Sequence, residues 1–205
     1  MKRKDLLLLL GWPVYLILFF LSERLIPADR CVLIWCPLDD RIPFCEWFLI
    51  PYVSWYLLVA GSLGWFFWKD RERFRWLQSY ILVTQIIGIL CFFLLPSRQD
   101  LRPEIFPREG FLTEVVRFLY RVDTPTGVCP SMHVAWSLAL ISAWTQKEDC
   151  SLLWRWAVTA WCVLICVSVV FIKQHSVLDI LAAIPVGLAA EVLLRSCKTR
   201  KNGLE

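Results

Sequence analysis

The chain has 205 residues, of which 58% are hydrophobic, with a mean hydropathy of +0.57 and a formal net charge of +4. That hydropathy lies well above the range of a soluble domain of this length. The modest charge is spread along the chain, which gives nucleic-acid binding no footing. Nine Cys occur without a CxxC pair or zinc-like Cys/His spacing, so a metal or redox motif is not indicated.

In chain order, the basic opening Met1-Lys2-Arg3-Lys4 leads into an apolar run that reaches Leu21. A signal peptide would look similar, but no small-x-small cleavage site follows, so the run is expected to be a retained first helix. A bilayer core of about 30 Å needs roughly 20 apolar helical residues. Six spans are expected: Leu6–Leu21, Trp47–Trp68, Leu77–Pro96, Met132–Thr145, Trp156–Ile172 and Ser176–Leu194. Pro13 and Pro185 fall inside spans, where kinks are tolerated. Cys31, Cys36 and Cys45 share one loop, and the sequence leaves a disulfide among them open. Cys91, Cys162 and Cys166 read as small buried hydrophobes.

The segment Ser97–Pro130 is too long for a simple connection. Within it Phe111, Val115, Phe118, Leu119 and Val122 recur at helical spacing on one face, with Glu114, Arg117 and Arg121 on another. This pattern predicts a helix lying in the membrane interface. Thirteen cations, in the clusters at 2–4, 69–75, 147–155 and 195–201, fall on one side of the six spans, and nine fall on the other. The positive-inside rule then places both termini in the cytoplasm. The fold expected is an all-α membrane helix bundle, one unit over residues 1–205.

Both histidines stand at the non-cytoplasmic ends of spans. His175 and Asp179 are four apart and share a helical face, where a carboxylate can fix the imidazole tautomer and free the other nitrogen as a nucleophile. A His–Asp pair can also brace two helices, but ionisable groups at membrane depth are usually functional. Pro130-Ser131-Met132-His133 places a proline at a helix start, amides at a positive helix end and a hydroxyl beside a second histidine. Alone it reads as an ordinary capped helix start. Arg98 and Arg102 follow the third span, and their planar forks suit phosphate oxygens, although interfacial snorkelling would also explain them. Lys173 precedes His175 by two residues.

Taken together, these segments resemble the three signature motifs of the type 2 phosphatidic acid phosphatase superfamily, over roughly Gln78–Glu191. Arg102-Pro103 matches the end of the first motif; the family's leading Lys falls on Leu95, and Arg98 is the candidate replacement. Pro130-Ser131-Met132-His133 matches the second motif with Met for Gly. Ser168, His175 and Asp179 match the third in register, with Val169 in place of its Arg and Lys173 as the candidate substitute. The variants are similar to the branch near inositol phosphorylceramide synthases.

The resemblance implies phosphoryl transfer without cofactor or metal. His175 would be the nucleophile, Asp179 its orienting partner, and His133 the acid and base. Arg98, Arg102, Ser131, Met132, Lys173 and Ser168 would contact the substrate. A hydrolase acting on a lipid phosphate or diphosphate in the bilayer is the first expectation. A lipid phosphotransferase and a non-catalytic membrane binder with a degenerate site are the alternatives. The compact size suggests a bacterial inner membrane, with an endomembrane and a lumenal site as the other choice.

Overall fold

The computed structural model describes residues 3–147 and 149–202. Of the basic clusters, Lys2 lies outside the described residues, as do the side chains of Arg3, Lys4, Arg200 and Lys201. The chain is an all-α bundle: α1 (Arg3–Leu9), α2 (Gly11–Leu25), α3 (Pro37–Arg41), α4 (Leu49–Lys69), α5 (Arg71–Leu94), α6 (Phe111–Val122), α7 (Met132–Thr145), α8 (Leu152–Phe171) and α9 (Val177–Asn202).

The expected first helix is interrupted at Leu10, between α1 and α2. Pro13 has no N–H for the Leu9 carbonyl, so one of the bonds that would have joined them is missing. The second and third spans meet at Asp70, whose side chain accepts from the Arg73 amide at 2.9 Å and so caps α5. That cap starts α5 six residues before the apolar run, at Arg71. The Ser151 hydroxyl caps α8 through the Trp154 amide in the same way.

Among the described residues, five helical segments are long and apolar enough to cross a membrane: Leu7–Leu25, Glu46–Lys69, Arg71–Leu94, Leu152–Phe171 and Val177–Thr199. The sixth expected span, α7, has 14 residues, or about 21 Å at 1.5 Å per residue. It nevertheless links the two ends of the bundle. His133 at its start packs on Tyr52 and Trp55 near the beginning of α4. Past its last residue, the Gln146 carbonyl accepts from Arg73 near the beginning of α5 at 2.7 Å. Ten of its 14 residues are buried, because α5, α8 and α9 surround it. A helix enclosed by protein need not match the hydrocarbon thickness. Gly187 on α9 permits the close packing here, since a Cβ would meet Leu138 Cδ1 at 2.7 Å.

The basic clusters gather at one end of the bundle. Asp5 pairs with Arg71 and Arg75, Lys147 lies 3.8 Å from Asp70, and Lys198 pairs with Glu72. At the opposite end, Val32–Leu33 and Ser97–Arg98 form a short parallel ladder, and Arg98 bridges to Thr126. Cys31, Cys36 and Cys45 are free thiols. Cys162 is fully buried, while Cys91 and Cys166 are half-buried.

The helix expected at the interface is α6. Thr113 and Val116 are buried, and Leu112, Val115, Leu119 and Tyr120 pack partly buried against the bundle, whereas Phe111, Phe118 and Val122 face outward, with exposures of 82%, 64% and 58%. The apolar stripe seen in the sequence is therefore divided: Phe111, Phe118 and Val122 turn toward the surroundings, while Val115 and Leu119 help Thr113 and Val116 seat the helix on the bundle. Tyr120 Oη donates to the Ile172 carbonyl at 2.6 Å, tying α6 to the turn between α8 and α9.

Candidate active site

The turn between α8 and α9 carries His175. It is held by backbone bonds from the Gln174 and His175 amides to the Val169 carbonyl, at 2.9 and 3.1 Å. Lys173 adopts a left-handed backbone with φ +54°, which a side chain tolerates only at some cost. Its Nζ donates to the carbonyls of Asp39 and Ile42. Burial lowers its pKa, and the nearby Asp39 and Asp40 pull it back. The cation thus clasps the turn to the α3 segment and does not line the cleft described below.

Asp39 completes that clasp. Only 2% exposed, it accepts from the Val177 amide at 2.8 Å, the Ser176 hydroxyl at 2.6 Å and the Cys36 amide at 2.9 Å. A carboxylate at the first amide of a helix is favourable by hydrogen bonding and by the helix dipole. One turn on, Asp179 Oδ2 accepts from the Ser176 amide at 2.9 Å and meets His175 Nδ1 at 3.2 Å. With Nδ1 occupied, Nε2 is the ring nitrogen left for chemistry.

The start of α7 meets this turn through the backbone. The Ser131 amide donates to the Asp179 carbonyl at 3.2 Å. The helix begins at Met132 with Ser131 as its N-cap, so Pro130 precedes the cap instead of occupying the first helical position. The Ser131 amide, expected to point at an anion, is already engaged. The amides of Met132 and His133 remain without helical acceptors. The Ser131 hydroxyl makes no cap and is buried without a partner, as is His133 Nε2. His133 stacks against Tyr52 and Trp55, with ring centres 4.3 and 4.1 Å away. The rings of His133 and His175 lie 6.0 Å apart, centre to centre, on the scale of one phosphate between two imidazole nitrogens.

Arg102 donates to the carbonyls of Tyr120 and Asp123 at 3.1 and 2.9 Å and to Gln174 Oε1 at 2.6 Å. It also lies over the Tyr120 ring. Burial lowers its pKa, with Asp123 opposing. Gln174 Nε2 in turn donates to Asp123 Oδ2 at 3.1 Å. Burial raises the Asp123 pKa, with Arg102 and His175 pulling it down. Arg98 pairs with Asp100 at the surface. Ser168 donates to the Ile165 carbonyl within its own helix at 2.7 Å. Val169, at the position of the family's Arg, is fully buried, and Leu95, at that of its Lys, is 70% exposed.

A cavity of about 620 Å³ opens onto both histidines. Its walls include Trp12, Tyr15 and Phe19 of α2 and Trp55, Tyr56 and Leu63 of α4; Met132 lines it beside His133. The backbone of α2 packs on α5 and α1 rather than on α4, which leaves the cleft between α2 and α4. Of the expected site residues, His133, His175, Met132, Asp179 and Ser131 come together. Arg102 reaches the group through Gln174, while Arg98, Lys173 and Ser168 are bonded elsewhere.

Four contributors did not stand out in the sequence: Asp39, Gln99, Asp123 and Gln174. Gln99 is fully buried and joins the first motif to the third by donating to the Lys173 carbonyl at 3.1 Å. The signal for Asp39 was Cys36-Pro37-Leu38-Asp39, an acid at the third helical position after an N1 proline. Gln99 and Gln174 were legible only as uncharged polar residues inside motifs.

A model of the PAP2 superfamily matches residues 38–193, more than half of the chain. Comparisons with curated proteins and with solved structures return no match.

Proposed function

This chain belongs to the PAP2 superfamily, and on that premise we propose that it is an integral membrane hydrolase that cleaves a lipid-linked phosphate ester through a phosphohistidine. The observation that carries the reading is the facing of His133 and His175 at 6.0 Å across the end of an apolar cleft. The His175 Nε2 lone pair attacks phosphorus, and the bond from phosphorus to the lipid oxygen breaks. Protonated His133 gives its proton to that oxygen. Water then attacks the phosphohistidine, His133 takes its proton, and the P–N bond breaks to release phosphate.

Asp179 holds the His175 tautomer and balances the charge that develops on the ring. The Ser131 hydroxyl and the first amides of α7 face the equatorial oxygens, with Arg102 adding positive charge through Gln174. Such positioning and charge stabilisation supply most of phosphoryl-transfer catalysis. No metal enters this scheme. Purified protein is expected to cleave members of a panel of lipid phosphates, phosphatidate and undecaprenyl diphosphate included, in the presence of EDTA, and vanadate should inhibit it. A preparation that turns over only after divalent metal is restored counts against the scheme.

In the same reading, the end rich in paired basic residues faces the cytoplasm of a bacterial inner membrane, and the site opens on the opposite face. An epitope added at the C-terminus should be reached by antibody only after permeabilisation. Labelling of sealed cells would reverse the orientation.

A further inference from the structure

The cleft carries a charge pattern that the chemistry above does not explain. Its polar rim holds two carboxylates, Glu23 of α2 and Asp123, with Thr124 and Thr126 beside them, and no Lys or Arg is among its lining residues. The cations expected there are used elsewhere. Lys173 is bonded to the carbonyls of Asp39 and Ile42, and Arg98 is paired with Asp100. Arg102 is turned to the main chain of Tyr120 and Asp123 and to Gln174.

The rim carboxylates are held by few side-chain bonds. Glu23 Oε1 accepts from the Thr124 hydroxyl, and Asp123 Oδ2 accepts from Gln174. Glu23 also accepts from the Thr124 backbone. The histidines complete a built site at the same cavity, because His133 is 8% exposed and its Nε2 has no partner. A dianionic phosphate monoester bound there would meet the two rim carboxylates in a medium of low dielectric, with the Arg102 charge offsetting them only in part. A headgroup bearing its own positive charge would find the rim complementary. The ring of Tyr56, which also lines the cleft and is 51% exposed, suits a cation as well. Glu23 lies outside the residues matched by the family model.

We propose that Glu23 and Asp123 form a subsite for an ammonium group, and that the substrate is a phosphodiester lipid with an aminoalkyl headgroup. This inference rests on the reading of His133 and His175 as the catalytic pair. The tail occupies the cleft between α2 and α4, phosphorus sits between the histidines, and the headgroup points to the rim. His175 attacks phosphorus, the bond to the lipid oxygen breaks, and His133 protonates that oxygen. The phosphohistidine then carries the aminoalkyl ester, and water releases it as a phosphorylated amino alcohol. Phosphodiester and water are thereby converted to lipid alcohol and phospho-amino alcohol.

The test gives the purified full chain mixed micelles of phosphatidylethanolamine, phosphatidylglycerol or phosphatidate at equal surface concentration and measures diacylglycerol release. The expected kcat/KM for phosphatidylethanolamine exceeds either of the others by about tenfold, the scale of one charged hydrogen bond. Glu23→Gln should remove that preference. Glu23→Lys should reverse it, with a gain on phosphatidate that misfolding cannot produce. Equal or faster wild-type cleavage of phosphatidate or phosphatidylglycerol, or an unchanged ratio in Glu23→Lys, overturns the subsite and leaves the histidine pair standing. No release from any of the three lipids also overturns the subsite, and release that persists in His175→Ala overturns both.

Discussion

His175→Ala is expected to lower turnover by about 10³- to 10⁶-fold, the range seen when a nucleophile is removed from a group that acts as a unit. The imidazole is positioned by a single side-chain bond, from Nδ1 to Asp179 Oδ2 at 3.2 Å, and its side chain is 12% exposed at the cleft. Its removal therefore takes the attacking nitrogen away while the backbone bonds of the turn remain. The melting temperature in detergent should stay close to wild type, which separates lost chemistry from lost fold. With substrate labelled at phosphorus, wild type should retain an acid-labile, alkali-stable label after rapid quenching, and His175→Ala should retain none. His133→Ala should also be slow, because the lipid oxygen then leaves without a proton. Wild-type turnover in His175→Ala would remove the basis for a phosphohistidine.

Asp39→Ala is expected to cost on the order of 3 kcal/mol of stability, through the loss of three hydrogen bonds to a buried carboxylate. The Val177 amide, the Ser176 hydroxyl and the Cys36 amide would each lose an acceptor in a place that water reaches poorly. The same change loosens the segment between His175 and Asp179, so activity should fall further than the melting temperature alone explains. Asp39→Asn, which keeps the shape and one acceptor oxygen, should lie between the two. Thermal melts of detergent-solubilised protein check the first effect, and turnover at a temperature where all variants are folded checks the second. A variant that melts with wild type and turns over normally would show that the clasp of α3 on α9 is dispensable.

The parts of the site that were legible in the sequence share one property: each is a local pattern. His175 and Asp179 are one helical turn apart, so their pairing follows from the 3.6-residue period. The helix of Phe111–Val122 could be read from its spacing for the same reason. What stayed hidden depends on distant partners. Lys173 reads as a phosphate cation because charge near a histidine suggests one, yet its Nζ goes to carbonyls more than 130 positions earlier. The apolar stripe of α6 gave its existence but not its seating, since only the bundle determines which face is covered. The span Met132–Thr145 was found at its expected bounds, but Pro130 stands before the cap and the Ser131 amide is taken by an acceptor on α9, which local proline preference does not include.

By itself, the sequence determined that this chain is a helical membrane protein with two histidines at the same end of its spans. Hydrophobic run length and helical period are set by the solvent and by backbone geometry, and both act over a few neighbouring residues. Only the tertiary structure decided which polar groups reach the cleft and which are consumed in holding it open. In a bundle surrounded by apolar material, every buried donor and acceptor competes for the partners nearest in space. That competition took Lys173, Arg98 and Ser168 away from the cleft, and it left His133, His175, Glu23 and Asp123 facing it.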